Sequence, residues 1–479
     1  MTEAGAFGWP RVVRLGLVQA SLGAVVVLTT STLNRVMVVE LALPALLPGL
    51  LVALHYLVQM LRPRMGFGAD VGGRQTPWIL GGMAVLALGG VGAAAATAWM
   101  SSQRGAGITL AVLSFALIGV GVSACGTSLL VMLAKRVDAQ RRAGAATVVW
   151  LMMIVGFAVT AGVAGRALDP YTPARLIAVS ATVSALACLV SWLAMRGLEP
   201  LRGGLQAGSA SMKNAAVDSA LAGGHPAPSA GFAVALAEVW RDPVARRFTL
   251  FVFISMLAYS AQDLILEPFA GFVFGFTPGQ STSLSGVQHG GVLVGMLLAA
   301  LAGRRVGGRS LGSLRAWTLG GCLLSALAMV GLAVSASVGP AWPFKANVFF
   351  LGMANGAFSI AAIGSMMRLA AEGGGAREGV RMGLWGAAQA VAFGLGGLLG
   401  SAASDLARWL IGEVGPAYAA VFAAEALLFV VAAALAGRSP ARPPVVMRPG
   451  DVRDNTLLAS KRAQAGDAMV ARTHNQVMP

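Results

Sequence analysis

Charge is what this chain has least of. Only 11% of its 479 residues are Asp, Glu, Lys or Arg, against 57% hydrophobic residues and a mean hydropathy of +0.74. A soluble domain carries about 25% charged residues, so this balance excludes one and describes a polytopic membrane protein. Cysteine is nearly absent. Cys125, Cys188 and Cys322 have neither paired nor metal-type spacing and all fall within apolar runs, which excludes a disulfide framework or a free-metal site and leaves small packing residues. Histidine is almost as rare, four in all, and only His55 and His289 lie inside expected membrane spans. The 19 acidic residues are outnumbered by 35 Lys and Arg. In a soluble chain the resulting charge of +16 would suggest nucleic acid; here it is first a loop-orientation signal, and no nucleic-acid partner is expected.

What is abundant is uninterrupted apolar sequence. About 20 such residues cross roughly 30 Å of hydrocarbon, and charged or Pro/Gly-rich breaks divide the chain into twelve candidates. They cover 12–33, 42–61, 77–99, 107–134, 146–165, 174–195, 248–266, 284–302, 315–337, 343–370, 382–402 and 416–436, with a surface helix expected at 403–415. With the N-terminus in the cytoplasm, all but six of the 35 basic residues (Arg35, Arg104, Arg166, Arg175, Lys345 and Arg408) fall on the cytoplasmic side. The positive-inside rule therefore supports twelve crossings with both termini cytoplasmic. Trp78, Trp99, Trp192, Trp317 and Trp342 sit near predicted helix ends, where an indole keeps its ring in the apolar layer and its N–H in water.

Four segments follow: a six-helix half over 1–196, a linker over 197–247, a second half over 248–437 and a basic tail over 438–479 that is expected to be disordered. The linker begins rich in Gly, Ala, Ser and Pro and ends, from Phe232 to Phe248, as an amphipathic stretch suited to a membrane surface or to water. Membrane lipids are the expected neighbours of both the linker and the tail.

The two halves share a motif. Gly66-Phe67-Gly68-Ala69-Asp70-Val71-Gly72-Gly73-Arg74 joins the second and third spans, and its last four residues recur as Val306-Gly307-Gly308-Arg309, an offset of 235. Gly66, Asp70, Gly73 and Arg74 at that position resemble the signature turn of the major facilitator superfamily. The resemblance implies an all-α bundle of twelve transmembrane helices in two pseudo-symmetric six-helix halves. It also implies that Asp70, by capping a helix or pairing with an arginine, latches one conformation. Arg305 replaces the aspartate in the second copy, so only the first half should carry the acidic latch.

In that fold spans one, four, seven and ten line the central cavity. Here they offer little: Gln19, Ser21, Thr29, Ser114, Ser123, Thr127, Tyr259, Gln262, Asp263, Asn347, Asn355 and Ser359. An interior this apolar favours a hydrophobic ligand over a hydrated solute. Ionisable residues within spans are costly and so are candidates: Glu425 lies deep in the last span, Arg35 and Glu40 flank the first outer turn, and Asp263 and Glu267 flank the fourth. A proton relay or internal ion pair stands against a plainer alternative, in which Glu425 is protonated or paired and the others are wetted at the interface. His55 and His289 occupy helix two of their respective halves at an offset of 234. One nitrogen of a neutral imidazole can ligate a metal, including the magnesium of a tetrapyrrole, while the other donates a hydrogen bond. Against the motif's offset of 235, the mismatch of one residue predicts a rotation of about 100° between the two sites.

A narrower resemblance rests on Leu33-Asn34-Arg35-Val36-Met37-Val38-Val39-Glu40-Leu41, Ala53-Leu54-His55-Tyr56, Leu61-Arg62-Pro63-Arg64 and Asp70 to Trp78. These are similar to the PucC/LhaA family, the bacteriochlorophyll delivery group within the facilitators, over about residues 10–438, with the LhaA-like branch favoured. The resemblance implies a non-enzymatic assembly factor that delivers bacteriochlorophyll to light-harvesting antenna polypeptides, the core antenna around the reaction centre before the peripheral one. Pigment-synthesis enzymes would be further partners. His55 would be the first magnesium ligand and His289 the second, with polar residues of spans one, seven and ten orienting ring carbonyls. The alternative is a proton-coupled exporter of an amphipathic small molecule using Glu425 or Asp263.

Overall fold

In hydrocarbon a backbone can satisfy its own polar groups only as a helix or a closed barrel, and the apolar runs of this chain form helices throughout. The computed structural model describes residues 7–61, 74–199, 240–302, 305–306, 309–310, 312–372 and 378–438. Among these the helices are α1 Trp9–Glu40, α2 Leu46–Val58, α3 Thr76–Trp99, α4 Arg104–Arg136, α5 Ala139–Leu168, α6 Pro173–Met195, α7 Pro243–Phe274, α8 Pro278–Ala302, α9 Leu314–Val338, α10 Phe344–Glu372, α11 Glu378–Ile411 and α12 Val414–Gly437. Two short strands, β1 Arg305–Val306 and β2 Arg309–Ser310, pair antiparallel where the second copy of the turn motif lies.

Among the described residues eleven helices are long and apolar enough to cross a bilayer. The remaining candidate, expected at 42–61, is the short α2, which covers about 20 Å at its helical rise and ends in a tighter turn over Gln59–Leu61. It starts late because the chain first turns through Ala42, with φ at +49°, and Pro44. The surface helix expected at 403–415 is not a separate element. α11 runs on to Ile411 and stops at Gly412, whose φ of +78° only glycine adopts without strain. α7 likewise outruns its expected limits of 248–266, so Asp263 and Glu267 stand well inside a helix. The amphipathic stretch before Trp240 and the basic tail lie outside the described residues.

Two hydrophobic cores answer to the two halves. One gathers buried side chains from Phe7 to Leu198, the other from Phe248 to Ala436, and Leu264 of α7 crosses over to pack in the first. Between helices in lipid, close backbone packing replaces the hydrophobic drive. α8 and α10 show it most fully: Gly291 and Gly295 face Gly352 and Gly356, and a Cβ on any of the four would strike a carbonyl of the opposite helix. The halves meet along two seams, α5 against α8 and α2 against α11. Successive helices run in opposite directions, so the bundle has a proximal face, where α1 begins and α12 ends, and a distal face.

α1 is irregular. Two wide π-helical turns, Leu28–Thr32 and Val36–Glu40, bracket Leu33-Asn34-Arg35; such turns bring a polar stripe out of the usual helical period. Ser31, Thr32, Asn34 and Arg35 are all buried, and all reach across to the second half.

Candidate functional site

The helices that carry the two histidines begin alike. At the start of α2 the backbone N–H groups of Ala45 and Leu46 are capped across the seam, as is that of Gly279 at the start of α8, and each start carries a proline, Pro44 or Pro278. His55 lies nine residues beyond Leu46 and His289 ten beyond Gly279. Across the seams Phe393 of α11 meets Tyr56 and Phe157 of α5 meets His289.

The two histidines meet different chemistry. His55 is buried, its Nδ1 lies 3.0 Å from Val52 O, its Nε2 lies 2.8 Å from Gln59 Nε2, and its ring rests 4.3 Å from that of Tyr56. With Nδ1–H donating to Val52, Nε2 accepts from the Gln59 amide, so neither nitrogen can take a metal without breaking a bond. In α8 the residue four places on is Leu293, which has no amide to offer. His289 donates from Nδ1 to Ser285 O at 2.8 Å, and its half-buried ring meets Phe157 of α5 edge-on at 4.9 Å. Its Nε2 makes no hydrogen bond among the described residues. Phe157 belongs to an apolar cluster drawn from both halves that includes Ile154, Val292, Met296, Leu293 and Ile360. Of the two rings, His289 is the one with a nitrogen that makes no hydrogen bond among the described residues.

Most of the polar residues expected to line the cavity are committed elsewhere. Ser21, Thr29, Ser114 and Ser123 donate to carbonyls of their own helices, Asn347 donates to Ala328 O, and Asn355 accepts from Ser325. They hold helices rather than a ligand. Gln262 differs, being fully buried with neither end of its amide bonded.

Wetting at the interface does not describe Arg35 or Glu267, each 3% exposed. Arg35 pairs with Glu40 and donates to Phe276 O, while Ser31 donates to Glu267 across the halves. Glu40 is the half-exposed member, facing a distal cavity of about 770 Å³ shared with Asp169, Tyr171 and Thr277. Asp263 accepts from Gln288 at 3.3 Å, and Glu425 is buried with both oxygens unbonded.

Of the signature turn, Gly66, Asp70 and Gly73 lie outside the described residues. Arg74 lies within them, and its neighbour was not foreseen: Glu199, just past α6, accepts from Gln75 N at 2.8 Å and Thr76 N at 2.9 Å, with Arg74 Nε 4.0 Å away. Glu199 thus caps α3 from another helix, where a carboxylate also meets the positive end of the helix dipole. Burial pushes its carboxyl up, but the bonds from Gln75 and Thr76 and the nearby Arg74 outweigh this and hold it below the ordinary glutamate value. A lowered value means the stabilisation is complete above the ordinary glutamate range and is lost as pH falls through the folded-state value. Thermal unfolding in detergent should show wild type losing stability on acidification and Glu199→Gln starting lower but declining less. Equal acid slopes in the two proteins would refute the capping role.

Comparison with known proteins places this geometry. Residues 32–442 match the family model described as PUCC protein. The chain is 49% identical over 448 residues to the bacteriochlorophyll synthase 44.5 kDa chain of Rhodobacter capsulatus, covering 92% of this chain and 99% of that one. It is 30% identical over 450 residues to Protein PucC of the same organism, covering 89% and 91%. Among solved structures it resembles the peptide transporter POT in complex with sulfate, with a TM-score of 0.62 at 16% identity over 91% of this chain and 97% of that one. That similarity establishes a major-facilitator-type fold.

Proposed function

The chain belongs to the PUCC protein family, and from that premise we propose that it is an assembly factor that holds bacteriochlorophyll and hands it to light-harvesting antenna polypeptides. The observation that carries the proposal is His289: an imidazole with Nδ1 fixed by Ser285 and Nε2 without a hydrogen bond among the described residues, its ring against Phe157 of an apolar cluster where the halves meet. A neutral imidazole oriented through its other nitrogen is the arrangement that suits a metal, here the magnesium of a tetrapyrrole cargo. The name of the relative at 49% identity also couples it to bacteriochlorophyll synthesis, which supports a pigment-synthesis enzyme as the donor partner. The core antenna is the favoured recipient, on the resemblance to the LhaA-like branch. The chain works without catalysis, in the bacterial inner membrane, with its basic loops and both termini cytoplasmic and its distal face outward.

Affinity purification from a phototrophic host, followed by pigment extraction, tests this reading. Bacteriochlorophyll and antenna polypeptides should both copurify with the wild-type chain. Antenna polypeptides without pigment would reduce the role to bracketing helices, and neither would overturn the proposal. The unbonded Gln262 and Glu425 favour a second reading, proton-coupled export of an amphipathic small molecule. Proteoliposome transport that depends on a pH gradient and disappears in Glu425→Gln would establish it.

A further inference from the structure

The distal ends of both seams are closed by the same device. Asp169, just past α5, accepts from Gly279 N at 3.3 Å and Thr277 Oγ1 at 2.8 Å at the start of α8. Asp405, near the end of α11, accepts from Ala45 N at 3.0 Å and Leu46 N at 2.8 Å at the start of α2. Each carboxylate therefore leaves helix five of one half and caps helix two of the other, where the helix dipole favours it. The pair follows the internal repeat: the aspartates are 236 apart, and the N–H group of Gly279 lies 234 and 233 residues beyond those of Ala45 and Leu46.

One turn deeper the symmetry continues. Gly165 of α5 lies so close to Ser283 of α8 that a Cβ would collide with it, and Gly49 of α2 stands in the same relation to Ser401 of α11. Each seam thus holds one glycine and one serine with the roles exchanged, Gly165 and Ser401 being 236 apart like the aspartates. Further contacts across the halves lie toward the same end: Thr32 to Thr282 at 2.8 Å, Ser31 to Glu267, and Arg35 to Phe276 O. At the proximal ends, by contrast, Arg14, Glu199, Arg247 and Arg315 all bond within their own half.

We propose that Asp169 and Asp405 form a paired latch holding the distal ends of the two seams shut, and that its release parts α5 from α8 and so governs exchange of cargo at His289. The second clause rests on the pigment-holding reading above; the first does not. Neither cap alone needs to hold the face closed, because the other aspartate still ties the same two rigid halves together. Single substitutions should therefore open the face far less than the double one.

Pulsed spin–spin distance measurement on the full chain in lipid nanodiscs tests the latch. Labels at Arg166 and Gln280 report the α5/α8 seam and labels at Leu50 and Leu406 the α2/α11 seam, in a background lacking the three native cysteines; all four sites are exposed. In Asp169→Ala/Asp405→Ala the long-distance population should rise about fivefold or more, the low end of what a switching contact supplies, with each single variant well below that. If the alanine pair does not fold, Asp169→Asn/Asp405→Asn keeps one acceptor oxygen per site and should give an intermediate shift. Unchanged distances in a folded double variant would overturn the latch. Exchange of bound bacteriochlorophyll, measured on the same samples, should accelerate with opening. Opened seams with unchanged exchange would overturn the link to cargo. A wild type that takes up no pigment would refute the pigment reading while the distances still judge the latch.

Discussion

Replacing Gly295 by valine should remove most of the folded protein. The glycine stands where α8 lies against Met353 O of α10, and a side chain there meets backbone, which cannot turn aside as a flexible side-chain end could. Gly352 and Gly356 make the reciprocal contacts from α10, so forcing the helices apart at one point loosens the others. Overpacking of this kind costs about 3 kcal/mol or more when the neighbour is rigid, and in lipid little else holds two helices together. Gly290 is the control, because the space beside it is open. Size-exclusion profiles and thermal unfolding in detergent should show Gly295→Val aggregated or strongly destabilised and Gly290→Ala close to wild type. Comparable profiles for the two would refute the packing account.

The second large effect is on pigment rather than on folding. His289→Ala should lower the bacteriochlorophyll carried by the purified protein about tenfold or more, corresponding to about 1.4 kcal/mol of lost ligation. His55→Ala should keep the pigment and instead weaken α2 by about 1 kcal/mol, since it removes the bonds to Val52 and Gln59. Absorbance of the two variants against their thermal stabilities separates the roles. Loss of pigment in His55→Ala with retention in His289→Ala would reverse the assignment.

Much of the fold was legible because it rests on one-dimensional signals: apolar length, basic loops and a motif used twice. The failures have local causes. The offset of 235 came from the turn motif, but Asp169 and Asp405 are 236 apart, and this slip of one residue hid the pairing of the aspartates. Gln59 stands four residues after His55, a spacing that puts two side chains on one helix face, so the sequence did contain the reason why His55 is occupied. Arg35 and Glu267 read as interfacial because they lie near expected turns. Two π-helical turns in α1 and a longer α7 carry them inside. Glu199 could not have been matched to the start of α3 without tertiary structure, since 123 residues separate it from Thr76.

The central claim is that this chain accepts a tetrapyrrole at His289 and gives it up to an antenna helix, so binding has to be reversible. The direct measurement loads the purified chain with bacteriochlorophyll, mixes it with pigment-free antenna polypeptides in lipid vesicles and follows the absorption spectrum. The carrier-bound band should decay as an antenna-type band grows, and His289→Ala, being unable to load, should produce neither change. A wild-type chain that takes up no pigment, or that keeps all of it in the presence of antenna polypeptides, would contradict the account.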